Sequence, residues 1–204
     1  TIHRQLYNLS VRQKWVLFGE YGMTFYKKYF YPSIPISKYP IMFVLSESIH
    51  KIKLPDKFKK TRITKDYKFL NKIYKVTVDN IPVMYVFITN SCQSYNIIKR
   101  NNHHHKIASI DTILSIYYAL EYIDIPMMDK PKILSYCQLL ENIHTNNDTN
   151  VLKRFYMPCI GKQPTFEDIK RDKMIKYKTY KHDKNSDIFK TMFLKYHPVT
   201  RKKR

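Results

Sequence analysis

Gly19 and Gly22, two of only three glycines in 204 residues, stand in "KWVLFGEYGMTFY", after an apolar run and before residues of helical character. A glycine turn between a strand and a helix presents backbone N–H groups, and sites that hold phosphate or transfer nucleotidyl groups are built that way. The same glycines also suit a turn that only lets a helix pack close to a sheet, so both readings stand at this point. Lys162, beside Gly161, has the form of a phosphate contact, although no Walker-type spacing surrounds it. Three adjacent histidines, His103–His105, cannot all face one ion from a strand; a solvated loop or a stacking contact with RNA is the expectation. Tyr26, Tyr29 and Tyr31, interleaved with Lys27 and Lys28, fit either stacking on single-stranded bases or core packing at helical spacing. Cys92, Cys137 and Cys159 are odd in number and far apart, which predicts reduced thiols and neither a disulfide framework nor a zinc cluster. The Ser, Cys and His residues form no legible nucleophile arrangement.

These residues need elements to position them. Trp15–Phe18 reads as a strand and the glycines as the turn into a helix through Tyr29. Pro32, Pro35 and Pro40 mark a connection, and Ile41–Leu45 a buried strand. "YKVTVDNIPVMYVFI" alternates on both sides of a turn, with Tyr74, Val76 and Val78 on one face and Val83, Tyr85 and Phe87 on the face of the returning strand. The period then changes. Ser109 caps a helix carrying Ile110, Ile113, Leu114, Tyr117 and Leu120, and Pro131 opens another whose stripe includes Leu134, Cys137 and Leu140. Thr165 with Asp168 forms a near capping box for a basic helix, and the chain ends in "RKKR". The organisation expected is a domain over 1–150 and a basic segment over 151–204 that packs on it.

Strand, glycine turn, helix and second strand, in that order, open the nucleotidyltransferase fold. Four stretches resemble more specifically the C-terminal, nucleotidyltransferase-like half of the poly(A) polymerase catalytic subunit of large cytoplasmic DNA viruses, of the mimivirus and asfarvirus kind. They are "WVLFGEYGMTFYKKY", "PIMFVLSE", "KIASIDTILSIYYAL" and "PCIGKQPTFEDIKRDK". The resemblance implies an α+β fold, a degenerate nucleotidyltransferase-like mixed sheet flanked by helices, with a basic C-terminal extension. Active relatives carry paired acids two apart on the second strand, because two magnesium ions must neutralise charge on attacking and leaving oxygens. Here those positions are Ile41 and Phe43, and Val83–Phe87 supplies no third acid. Without carboxylates there is no oxygen cage for magnesium. The resemblance therefore implies no catalytic or metal-holding residue in this stretch. An active enzyme with displaced acids would need Glu47, Asp79 and Asp111.

Composition sets the class of partner. A net charge of +21 attracts polyanions, nucleic acid above all. No apolar run reaches the ~20 residues that span a bilayer, and no long helix carries lysines on one face only, so a membrane is not expected. Arg4, Arg12 and Lys14 interrupt any signal peptide, and a chain beginning at Thr1 reads as a piece of a longer one. The implied role is a catalytically silent lobe that supports mRNA 3′-end polyadenylation. It would bind single-stranded, poly(A)-like RNA and pack on a preceding catalytic domain that uses ATP and magnesium, with a surface for a second copy. Gly19, Gly22, Lys27, Lys28 and Lys162 are the expected nucleotide or RNA-backbone contacts. Lys170, Arg171, Lys173, Lys176, Lys178, Lys181, Arg201, Lys202, Lys203 and Arg204 are the expected RNA-binding residues. The expected location is the host cytoplasm or the virion. The alternative is a non-enzymatic, basic nucleic-acid-binding protein of a viral particle or transcription complex.

Overall fold

The computed structural model describes residues 1–26, 40–63, 70–121, 130–146 and 158–194. Two compact units emerge, Thr1–Lys162 and Gln163–Arg204. The first is built on a mixed sheet of eight strands: β1 (Val16–Phe18), β2 (Met42–Ser46), β3 (Lys59–Arg62), β4 (Leu70–Val78), β5 (Ile81–Thr89), β6 (Gln93–Arg100), β7 (His103–Ala108) and β8 (Cys159–Ile160). Their order across the sheet is β3-β4-β5-β2-β1-β7-β6-β8. The β1–β7 and β2–β5 pairs run parallel, and the other pairs run antiparallel. The helices of this unit are α1 (Ile2–Gln13), α2 (Gly19–Tyr26), α3 (Ile110–Glu121) and α4 (Lys130–Asn146). The fold class is α+β, a mixed sheet flanked by helices, as expected.

Turn chemistry sets much of the sheet. Asp79 and Asn80 both adopt the left-handed region, with φ of 51° and 63°, and join β4 to β5. Two consecutive left-handed residues match the twist of a two-residue hairpin, and Asp and Asn tolerate that region better than most side chains. Asn101 and Asn102 repeat the device between β6 and β7, with φ of 49° and 60°. That second hairpin corrects the expectation for His103–His105. They begin strand β7, and His105 is 3% exposed.

Two packing details also differ from the sequence reading. Strand β5 is buried on both faces from Val83 to Ile88, because it lies inside the sheet between β4 and β2. Strict alternation describes half-buried strands, and this is not one. On α4 the buried stripe is Ile133, Tyr136, Cys137 and Leu140, whereas Leu134 is 46% exposed. On α3 the expected pattern holds, and Ser109 Oγ accepts the N–H of Thr112 at 3.2 Å, the geometry of an N-cap.

The cysteines overturn the expectation of reduced thiols. Cys92 and Cys159 form a disulfide across 67 residues of chain, with Cα atoms 5.3 Å apart. It joins the link between β5 and β6 to β8. Sequence separation hid the pair, since only the pairing of β6 with β8 brings the two sites together. Cys137 is free and buried.

The second unit contains α5 (Phe166–Tyr180), the short α6 (Asp187–Phe189) and a π-turn through residue 194. Thr165 caps α5 with a full capping box: its hydroxyl accepts the Asp168 N–H and the Asp168 carboxylate accepts the Thr165 N–H. The rings of Tyr177, Phe189 and Phe193 meet tilted or edge-on at centroid distances of 5.0–5.9 Å and hold α6 and the π-turn against α5. Among the described residues no helix is long and apolar enough to cross a membrane.

Candidate functional site

The strand forms over Val16–Phe18 and the helix follows it directly over Gly19–Tyr26, so both glycines lie in the first turn of α2 rather than in a separate turn before it. The expected helical residues 27–29 lie outside the described residues. β1 is wholly buried, and Gly19 begins α2 with φ of 71°. A Cβ built there would meet Phe43 Cδ2 at 2.7 Å and Cγ at 2.8 Å. Glycine is therefore required twice, by the backbone angle and by the ring lying over it. A Cβ on Gly22 would sit 3.3 Å from the Leu17 carbonyl oxygen, so this glycine lets α2 lie close against β1.

Phe43 decides what this turn can hold. It pairs with Phe18 on β1 and with Tyr85 on β5 in the ladder. Its ring centroid lies 5.3 Å from Phe18, 5.7 Å from Tyr85 and 5.3 Å from Phe87, and its side chain is 3% exposed. Edge-on aromatic contacts of this kind pack a core tightly. The space above the glycine turn is filled by rings, and Ile41 beside it offers no oxygen. Burial also raises the pKa of the Tyr85 phenol, keeping it neutral.

The displaced-acid alternative finds no geometry. Glu47 follows the C-terminal end of β2 and Asp79 precedes the N-terminal end of β5; because β2 and β5 run parallel, the two acids lie at opposite ends of these strands. Asp111 is in the first turn of α3. Glu47 is already engaged, by the Lys51 ammonium and by the Gly161 N–H at 3.3 Å, and the Lys51 hydrogen bond chiefly holds its carboxyl below the usual range. Among the described residues no group of three or more His, Cys, Asp or Glu is placed to hold a metal ion.

The basic residues gather on α5. Lys170, Arg171, Lys173, Lys176 and Lys178 are exposed along it, as is Lys181 at its C-cap. Arg171 is partnered by Asp168, so it is less available than the lysines. Lys170, Lys173, Met174, Tyr177, Lys178 and Phe193 line a shallow groove of about 280 Å³. Ammonium groups beside aromatic rings are the composition that single-stranded nucleic acid uses.

The chain is similar in fold to the Megavirus polyadenylate synthase. The likeness to its crystal structure has a TM-score of 0.55 at 19% identity and covers 85% of this chain. The chain spans 40% of the length of that synthase. No family model matches the chain, and no curated protein matches its sequence.

The sheet brings some of the expected site residues together and leaves others apart. Gly19 begins α2 and Gly22 lies within its first turn. Lys162 lies elsewhere in the unit, bridged through its backbone to Ser91. Lys27, Lys28, Tyr29, Tyr31 and Arg201, Lys202, Lys203 and Arg204 lie outside the described residues. Tyr26 is a core residue and not a stacking platform. It is fully buried, its hydroxyl donates to the Ala108 carbonyl at 2.8 Å, and it accepts from Asn96 Nδ2 at 2.9 Å. His105 is likewise enclosed, with Phe25 at 4.8 Å between ring centroids and the Tyr7 hydroxyl 3.3 Å from Nε2. Burial, then the neighbouring His103, lowers its pKa.

Sequence reasoning missed a cavity elsewhere in the sheet unit, of about 250 Å³, lined by Lys14, Trp15, Glu47, Lys51, Tyr95 and Lys106 among others. Its residues come from five separate segments, so no local pattern marks it. One backbone clue exists: Lys14 is left-handed, with φ of 54°, at the end of α1.

Proposed function

We propose that this chain is a catalytically silent, nucleotidyltransferase-like lobe of a viral poly(A) polymerase. It supports mRNA 3′-end polyadenylation by binding RNA and by packing on an active domain. The observation that carries this is Phe43, whose ring occupies the space over Gly19 where active members of the resembled family hold metal-binding acids. A two-metal mechanism needs oxygen ligands, and the residues here do not fit magnesium. ATP and magnesium belong, in this reading, to the active domain, with which this lobe shares a polypeptide.

The lobe's contribution is electrostatic. Lysines of α5 contact phosphates without reading sequence, which suits a growing homopolymer, and Tyr177 and Phe193 offer faces for bases. The fold likeness supports this reading over a basic packaging protein, which would account for the charge alone.

The test has two arms. The chain with ATP, magnesium and an oligo(A) primer is expected to incorporate no AMP. The same chain is expected to bind oligo(A) with an affinity that falls steeply as salt rises, because bound strands release counterions. AMP incorporation would refute the silent lobe, and a flat salt response would remove RNA from the account.

A further inference from the structure

The cavity that the sequence did not mark has the chemistry of an anion site. Three lysines, Lys14, Lys51 and Lys106, line it, against one carboxylate, Glu47. Lys106 Nζ is held 5.0 Å above the Tyr95 ring, so this ammonium is positioned by an aromatic face. Glu47 accepts from both Lys51 and the Gly161 N–H. The carboxylate thus fills an anion position made by one ammonium and one backbone donor, while Lys14 and Lys106 add charge around it.

Lys14 is the telling residue. The turn after α1 closes with the Lys14 N–H on the Val11 carbonyl at 3.3 Å and the Trp15 N–H on the Ser10 carbonyl at 3.0 Å. A helix ending this way places its left-handed residue where glycine is the ordinary choice. A lysine at φ 54° is a costlier choice than glycine for the backbone, and this residue lines the cavity.

We propose that this cavity binds a small phosphate-bearing ligand, with the phosphate among Lys14, Lys51 and Lys106. At about 250 Å³ it lies below the roughly 300–1,000 Å³ of drug-sized ligand sites, which limits the ligand to about one nucleotide. A free phosphate or nucleotide and the phosphorylated end of a strand share this chemistry. The proposal stands apart from the reading of α5, since none of these residues belongs to that helix.

Trp15 is the chain's single tryptophan and lines the cavity, so its fluorescence is a probe placed at this site. The full chain is titrated at constant ionic strength with inorganic phosphate, AMP, and a short RNA bearing either a 5′-phosphate or a 5′-hydroxyl. A saturable change is expected with at least one probe carrying free phosphate or a phosphate monoester and not with the hydroxyl RNA, whose phosphates are all internal diesters. AMP and phosphate acting alone identify a free ligand, and preference for the phosphorylated RNA identifies a strand end. Lys14→Gly is the deciding variant. It is expected to melt no lower than the parent, because glycine relieves the backbone, yet to weaken binding about tenfold, the loss of one charge-assisted contact. Lys106→Gln is expected to weaken binding similarly, and Glu47→Gln to strengthen it. No saturable response to any probe would overturn the proposal, as would binding unchanged in both Lys14→Gly and Lys106→Gln.

Discussion

Phe43 and Gly19 form a matched pair in which the ring is accommodated only because the glycine has no side chain. Gly19→Ala is expected to destabilise the chain by about 2–4 kcal/mol, combining left-handed strain with overpacking. Denaturant unfolding of the single and double variants checks it: adding Phe43→Ala should remove the clash, so the two effects should not add. His105 makes a prediction in pH. Its pKa is lowered in the folded state, so the unfolded chain binds the proton more readily and stability rises with pH. The contribution is complete above the ordinary imidazole value of 6.5 and is lost as pH falls through the folded value. Melting temperature should therefore drop from pH 7.5 to pH 5, and the slope should flatten in His105→Gln. An equally steep slope in the variant would assign the effect to other groups.

Among the elements, the two hairpins were written locally and the short strand β8 was not. Asp79-Asn80 lies between two alternating runs, and the structure makes the turn that the sequence predicts there. Asn101-Asn102 carried the same signal, but three polar histidines after it obscured the strand, because only one of them turns inward. β8 has two residues and pairs with β6 over Gln93 and Ser94. Such a short strand depends on outside ties, here the disulfide, the Glu47–Gly161 hydrogen bond and the Ser91–Lys162 bridge. Reducing the disulfide is expected to cost about 2–5 kcal/mol. Amide exchange should quicken first at Cys159 and Ile160, with β5 and β1 unchanged; uniform quickening would mean that the whole sheet depends on the bond.

At the scale of the whole molecule, a net charge of +21 favours association with polyanions. Under the proposed function, phosphate contacts release counterions, so the salt dependence of RNA binding would count the contacts. Replacing Lys170, Lys173, Lys176 and Lys178 together by Gln should reduce the log–log salt slope by up to about 3. An unchanged slope would place the RNA away from α5. The variant's sheet unit should melt as the parent does, since α5 buries no residue.

What the sequence determined by itself was whatever depends on neighbours along the chain. This covers the strand-to-helix junction at Gly19, the capping box, the Asp-Asn hairpin, the period of α3, the apolar run of β2, and the excess of positive charge. What only the tertiary structure decided depends on residues far apart in sequence. Phe43 lies over Gly19, Cys92 meets Cys159, His105 turns inward, and segments from α1, β2, β6, β7 and β8 enclose one cationic cavity. The physical reason is that backbone angles and hydrophobic period act over a few residues, whereas a site's charge and shape are set by strand order, which no short stretch encodes.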